Sequence, residues 1–242
     1  MKNDERRLVL VRHVRSDWNQ SNRFTGWIDI PLTESGLNDA AAVGRRLADE
    51  GIEFDEVHTS VLRRTRQTAD SLLAAAGHRS IPRHTSWRLN ERHYGRLQGM
   101  YKEEIVAAWG EQNTRSWWRG YFDVPPPLGM NDPRHPRFDS LYAGIDPALL
   151  PASESLSDCQ RRLLSYWYDV LMPSLANNLS VLVISHGNTI RSLVMHLEQI
   201  APDAIEKVEI PSGTPLIYWF NEKFEVDKRE RLIEQSQKDG RW

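Results

Sequence analysis

Two short apolar runs constrain the fold more than any other feature of this chain. Leu8-Val9-Leu10-Val11 and Val181-Leu182-Val183-Ile184 are too short to span a membrane and rich in β-branched residues. Each reads as a strand buried on both faces of a parallel-type sheet. The first runs straight into Arg12-His13, and the second, after Ser185, into His186-Gly187-Asn188-Thr189. In open α/β sheets the ligand crevice lies beyond the carboxyl ends of the strands. Two strand ends that each deliver a histidine therefore place two imidazoles in one crevice, beside a helix N-terminus at Gly187-Asn188 that favours an anion. Arg12 points the crevice toward phosphate: a guanidinium grips phosphate oxygens bidentately while an imidazole attacks phosphorus, and neither role needs a metal.

Between these runs the pattern alternates strand and helix. Phe24 to Ile30 predicts a loop over the first strand end, where Gly26 lets backbone approach a bound anion. Thr33 predicts an N-cap for a helix over 34–50, with Leu37, Ala40, Ala41, Gly44, Leu47 and Ala48 on its buried face. A strand over 56–60 precedes a helix over 61–76 that buries Leu62, Thr65, Ala69, Leu72, Leu73 and Ala76. Arg64 on its first turn adds a guanidinium to a helix N-terminus, although Arg63, Arg64 and Arg66 also fit a solvated face. A strand over 81–86 follows, then a helical, loop-rich insertion over 98–153 with prolines at 125–127, 133 and 136. Ser155 caps a helix burying Leu156, Cys159, Leu163, Tyr166, Trp167 and Val170, and 211–220 supplies a turn and a last central strand that 223–226 can pair with. The polar stretch 227–242 predicts a frayed tail or short helix. These βαβ units imply one α/β domain, a three-layer α/β/α sandwich on a mostly parallel sheet.

A length of 242 residues suits a single such domain. The net charge of −2 supplies no broad basic face for nucleic acid, so an anion site must be a local cluster of Arg, Lys and His. The lone Cys159 excludes an intrachain disulfide framework and a multi-cysteine zinc site. The charged start MKNDERR has no apolar signal core, and no stretch approaches the roughly 18 apolar residues of a membrane helix, so a cytoplasmic protein without a membrane partner is expected. Trp87, Trp109, Trp117, Trp118 and Trp167 are expected to pack as core aromatics rather than stack on a cofactor. A metal site built from His13, His93 and His186 is disfavoured, because arginines flank those residues and cations repel.

The ordered strings Arg12-His13, Ser16-x-Trp18-Asn19, Arg23-Phe24-Thr25-Gly26-Trp27, Leu89-Asn90-Glu91-Arg92-His93-Tyr94-Gly95 and His186-Gly187-Asn188 closely resemble the cofactor-dependent phosphoglycerate mutases of the histidine phosphatase superfamily. Family-like residues run from about 8 to 224. The resemblance implies a phosphoryl shuttle that interconverts 3-phosphoglycerate and 2-phosphoglycerate, with His13 phosphorylated by a 2,3-bisphosphoglycerate primer and no metal. It implies that Glu91 gives and takes the proton and that Arg12, Arg64 and His186 stabilise the moving charge. Ser16, Asn19, Thr25, Gly26, Arg92, Tyr94, Lys102, Arg119, Gly187 and Asn188 would then bind the small three-carbon substrate. Family members are often homo-oligomers.

Four departures from the family pattern carry expectations of their own. Val14 replaces a glycine and predicts backbone strain of about 1–3 kcal/mol if the position demands positive φ. Arg15 replaces a carboxylate and adds a cation near the nucleophile. Trp118 replaces the first of two adjacent arginines, with Arg115 a candidate substitute. The tail is short and lacks the family's closing sequence, a lid that keeps water off the phosphoenzyme. These departures hold open a histidine-type phosphatase or altered-substrate phosphotransferase, and a catalytically impaired relative that binds a phosphorylated ligand.

Overall fold

The computed structural model describes residues 6–78 and 80–232. Six strands, β1 (Arg6–Arg12), β2 (Glu56–Thr59), β3 (Arg83–Thr85), β4 (Ser180–Ser185), β5 (Leu216–Phe220) and β6 (Val226–Arg231), form one sheet in the order β3-β2-β4-β1-β5-β6. The first four in that order run parallel, and β5 and β6 close one edge antiparallel. The two apolar runs are thus the central neighbours β1 and β4.

Alternation along β1 builds the layers. Leu8 and Leu10 point into a core shared with α6 (Leu156–Tyr166), α7 (Met172–Ala176) and α8 (Gly187–Leu197), whereas Val9 and Val11 meet α2 (Glu34–Asp49) and α3 (Arg63–Ala75) on the other face. This is the expected three-layer sandwich. Between β1 and α2 lies the single turn α1 (Asp17–Gln20), and the insertion over 98–153 contributes α4 (Lys102–Trp109), α5 (Glu111–Arg119) and short 3₁₀ turns. Among the described residues no helix is long and apolar enough to cross a membrane.

Thr33 caps α2 as expected, its hydroxyl accepting from Gly36 N at 2.9 Å. The buried face differs from the one read by spacing: Gly36, Ala40, Val43, Gly44 and Leu47 are buried, while Leu37 and Ala48 are exposed and Ala41 is half-buried. Small apolar residues occur around this helix, so periodicity alone leaves its rotation loose by about one position. Packing settles it through Gly44, where an added Cβ would lie 2.1 Å from the Leu72 carbonyl oxygen on α3. Gly44→Ala is therefore expected to destabilise the fold by about 1–3 kcal/mol through overpacking, although alanine is the better helix former by about 1 kcal/mol. A urea midpoint equal to or above the wild type would refute the tight α2–α3 seam.

A second shift occurs in the helix after Ser155. Ser155 caps it as the sequence suggests, in a capping box with Asp158, but residues 167–171 take a π turn between α6 and α7. The wider turn rotates the following face, so Leu171 and Leu175 are fully buried and Val170 is only partly so. Residues 227–231, expected to fray or turn helical, instead belong to β6, whose backbone pairs with β5 despite its charged side chains. An exposed edge strand rich in Lys, Arg and Glu is a common way of blunting sheet edges. Residues 233–242, including the expected tail and its bearing on a lid, lie outside the described residues.

Candidate active site

The register of the two central strands brings the two histidines together. Arg12 pairs with Ser185 at the carboxyl ends of β1 and β4, and His13 N donates to Ser185 O at 2.9 Å. The next residue of each chain segment is then a histidine, and the rings of His13 and His186 stand 5.1 Å apart, edge to face. Both are buried.

Their hydrogen bonds assign different protons. His13 Nδ1 lies 2.8 Å from the Val14 carbonyl, which can only accept, so Nδ1 carries the hydrogen and the lone pair is on Nε2. His186 Nδ1 accepts from Arg64 Nε at 3.3 Å, so its Nε2 donates to Ser60 Oγ at 2.8 Å. Burial holds both imidazoles well below their ordinary value of 6.5, with Arg64 the next cause for each. The unfolded chain would take up a proton at each site below about 6.5 and the folded chain would not, so this contribution to stability is present above that pH and is lost progressively as pH falls from there toward the depressed folded-state values. In the free protein, the imidazole NMR signals of His13 and His186 are expected to keep their neutral-state shifts as pH falls through 6.5. A midpoint at that value would contradict the burial argument.

Around His13 lies a polar cleft that is open to solvent on one side. Arg12, Arg23, Arg64, Lys102, Arg119 and Arg191 line it against the carboxylates Glu91 and Glu209, an excess of four positive charges in a chain whose net charge is −2. Asn19, Thr25, Gly26, Tyr94, Gly187 and Asn188 also line it. Arg12 Nη1 is held by the Ile210 carbonyl at 2.9 Å. Arg64 is fixed by the carbonyls of Ile28 (2.9 Å) and Gly26 (2.7 Å) as well as by His186, which leaves two of its five N–H groups for a ligand. Gly26 makes this possible with φ +54°, a conformation open to glycine, and a Cβ there would strike Gln98 Oε1 at 2.1 Å.

Glu91 lines the same cleft as these cations. Its Oε1 accepts from Arg92 N (2.8 Å) and from Asn188 N (3.2 Å) at the start of α8. The loop that carries it is held from behind by Arg162 of α6, which donates to the carbonyls of Trp87, Arg88, Asn90 and Glu91 and pairs with buried Glu154. Tyr94 OH accepts from Asn188 Nδ2 at 2.6 Å, and burial pushes its pKa up to about 12, so it remains a phenol. Lys102 is lowered to about 8 by burial and then by Arg12 and Arg119.

Several expected residues lie elsewhere. Ser16 is fully buried and reaches the cleft only through Asn19, donating to its Oδ1 at 2.7 Å. Arg92 is fully buried outside the cleft, its guanidinium bonded to the carbonyls of Glu154, Gly120 and Asp123, which tie the insertion to the domain. His186 is behind His13 rather than in the cleft wall and touches Arg64. Arg115 pairs with Glu206 at 3.6 Å on the surface and does not replace the missing arginine. The side chain that adds a cation instead is Arg191, bonded to Asn188 Oδ1 and to the Trp118 carbonyl. Its position three residues after Asn188, one turn along the same helix, was the signal available for it. Arg23 stood within a family-like string and also lines the cleft, bonded to Tyr101.

The departures resolve in part. Val14 is not strained: the non-glycine residues with positive φ among those described are Asn22, Asn178, Gln199 and Phe224. Its side chain fills a pocket with Leu32 and Ala40, while its carbonyl orients the His13 ring. Arg15 turns away to Asp39, with contacts of 2.8 and 3.1 Å, so its charge is screened at the surface. Trp87, Trp109, Trp117 and Trp167 pack against other aromatics, but Trp118 faces the cleft with Lys102 Nζ 3.8 Å from its ring centroid.

Two buried histidines and a ring of arginines thus stand at the carboxyl edge of a parallel sheet, and the chain belongs to the histidine phosphatase superfamily (branch 1), whose profile matches residues 8–135 and 132–229. The chain is 49% identical over 211 residues to the 2,3-bisphosphoglycerate-dependent phosphoglycerate mutase of Nitratidesulfovibrio vulgaris, covering 87% of this chain and 85% of that one. It is 44% identical to the enzyme of the same name from Xylella fastidiosa, covering 91% and 89%. Within the superfamily it therefore belongs to the 2,3-bisphosphoglycerate-dependent phosphoglycerate mutase family. Among solved structures it is similar to Bacillus stearothermophilus YhfR (TM-score 0.70, 24% identity, 91% and 93% covered). It is also similar to a mycobacterial glucosyl-3-phosphoglycerate phosphatase in complex with VO3 (TM-score 0.69, 21% identity, 93% and 96% covered). Both likenesses concern the fold.

Proposed function

We propose that this chain interconverts 3-phosphoglycerate and 2-phosphoglycerate through a phosphohistidine at His13, primed by 2,3-bisphosphoglycerate. The observation that carries the reading is the lone pair on His13 Nε2 beside a cleft with four surplus positive charges. Unsatisfied donors support the fit of a doubly phosphorylated acid: Arg12 Nε, Arg23 Nε, Arg191 Nε and Thr25 Oγ1 are buried without a hydrogen-bond partner among the described residues, and all four residues line the cleft.

In this reading His13 Nε2 attacks phosphorus, an N–P bond forms and the P–O bond to the glycerate oxygen breaks. Glu91 hands its proton to the departing oxygen. In the return half Glu91 removes the proton of the accepting hydroxyl, which attacks the phosphohistidine and restores the free imidazole. Arg12 and Arg64 hold the equatorial oxygens of the moving phosphoryl group, and His186 aims Arg64. Lys102, Arg119, Arg191 and Arg23 hold the far end of the substrate, its carboxylate and second phosphate. Tyr94 and Asn188 limit how it turns between halves.

Trp118 favours a second reading. An indole where a guanidinium would grip substrate weakens retention of the bisphosphate, and a lost bisphosphate leaves phosphohistidine to water, as in a phosphatase. Primer-stimulated conversion of 3- to 2-phosphoglycerate, compared with free phosphate release from the same reaction, separates the two. Trp118→Arg is expected to raise mutase turnover or lower the KM by about tenfold, the worth of one charge-assisted hydrogen bond to phosphate. Unchanged kinetics would mean that Trp118 does not meet the substrate.

A further inference from the structure

At the β2–β3 edge of the sheet, three side chains converge at a place the phosphoryl chemistry does not use. Glu56 and His58 are alternate residues of β2 and therefore share a face, and His84 on β3 is the register partner of His58. Glu56 bridges the two imidazoles with one oxygen each: Oε1 lies 2.8 Å from His58 Nε2 and Oε2 lies 3.6 Å from His84 Nε2. The rings stack with centroids 4.8 Å apart, and the three candidate donor atoms all lie within 4.8 Å of one another. We propose that Glu56, His58 and His84 bind a Zn²⁺ ion that staples the edge strand to the body of the sheet.

The donor set selects the ion. Two imidazole nitrogens and a carboxylate suit zinc and its borderline neighbours, whereas magnesium and calcium take oxygen donors. Donor atoms on one tetrahedral zinc stand about 3.3 Å apart, given bonds of about 2.0–2.1 Å. The Glu56–His58 contact needs to open slightly and the His84 contact to close. His84 can make that movement, since its side chain is 47% exposed, against 0% for His58 and 11% for Glu56. The same exposure leaves a fourth position for water. The outer shell is also present: Tyr166 OH lies 2.8 Å from His58 Nδ1. When His58 Nε2 exchanges its proton for the metal, Nδ1 carries the hydrogen instead and donates to the Tyr166 hydroxyl, which can act as either donor or acceptor, so the ring stays neutral and aligned.

A role follows from the position. Strand β3 has three residues, all exposed, and lies at the sheet edge. The chain leaving it passes through residues 86–90 to Glu91. An ion there would steady the segment that presents the carboxylate while standing apart from the phosphoryl groups.

The test uses the full chain stripped with a chelator and titrated with Zn²⁺ alone by calorimetry, and with Co²⁺ followed by its visible absorption. One equivalent of either ion is expected, with a four-coordinate Co²⁺ spectrum and a Tm that rises with Zn²⁺ concentration. His84→Ala, at a half-exposed position that leaves the core intact, and Glu56→Gln are expected to abolish stoichiometric binding and the Tm rise. His13→Ala should retain both, and His84→Ala should keep its phosphoryl-transfer activity. Binding that survives His84→Ala, binding that disappears in His13→Ala, or the lack of one bound equivalent would each overturn the proposal.

Discussion

His13→Ala is expected to give a folded protein that takes up no phosphate. The imidazole Nε2 is the atom proposed to bond phosphorus, and its neighbour His186 cannot substitute: both His186 nitrogens are engaged, Nδ1 by Arg64 and Nε2 by Ser60. Mutase turnover and phosphate release should fall together by about 10⁴-fold or more, as when a covalent nucleophile is deleted elsewhere. The direct readout is acid-labile, base-stable phosphate after incubation with 2,3-bisphosphoglycerate, with circular dichroism confirming the fold. Stoichiometric label on the variant would place the nucleophile at another residue and remove the basis of the mechanism. A wild type that never labels would point to the impaired, ligand-binding alternative.

The second large effect concerns Glu91. Glutamine at that position keeps an Oε1 acceptor for Arg92 N and Asn188 N, so the loop geometry survives while the proton relay does not. Mutase turnover in Glu91→Gln should fall by about 10²–10⁴-fold, the usual worth of general acid–base catalysis. Labelling of His13 by p-nitrophenyl phosphate, whose leaving group departs without a proton, should fall far less. Equal losses with both donors would show that Glu91 serves position rather than proton transfer.

Two of the departures leave the geometry around His13 undisturbed, for reasons visible in three dimensions. A valine at position 14 could be feared only if the backbone there required positive φ, and it does not. Arg15 could perturb the nucleophile only if it pointed inward, and Asp39 on α2 draws it out. Trp118 is the departure that reaches the cleft, with Lys102 resting on its ring.

Local chemistry made much of this molecule legible. Apolar β-branched runs with nothing polar on either face must be buried strands, a threonine before an amphipathic stretch caps it, and histidines placed just past two such strands land at the same edge of the sheet. That much follows from nearest-neighbour physics and explains the pairing of His13 with His186, whereas Arg64, Glu91, Asn19, Thr25, Gly26, Tyr94, Lys102, Arg119 and Asn188 were candidates through the family resemblance, and all nine line the cleft. Packing decided the rest. The rotation of α2 was set by a glycine meeting a carbonyl on α3, and the face after α6 by a π turn that shifts the phase. The fate of each arginine was set by which acceptors surround it. Arg92 and Arg64 are both buried and each makes three hydrogen bonds through its guanidinium, yet Arg64 lines the cleft and Arg92 lies outside it. Sequence alone determined which side chains can do phosphoryl chemistry, because that is a property of single groups. Tertiary structure alone decided which of them are free to do it, because a guanidinium or an imidazole is spent or spared by partners that are distant along the chain.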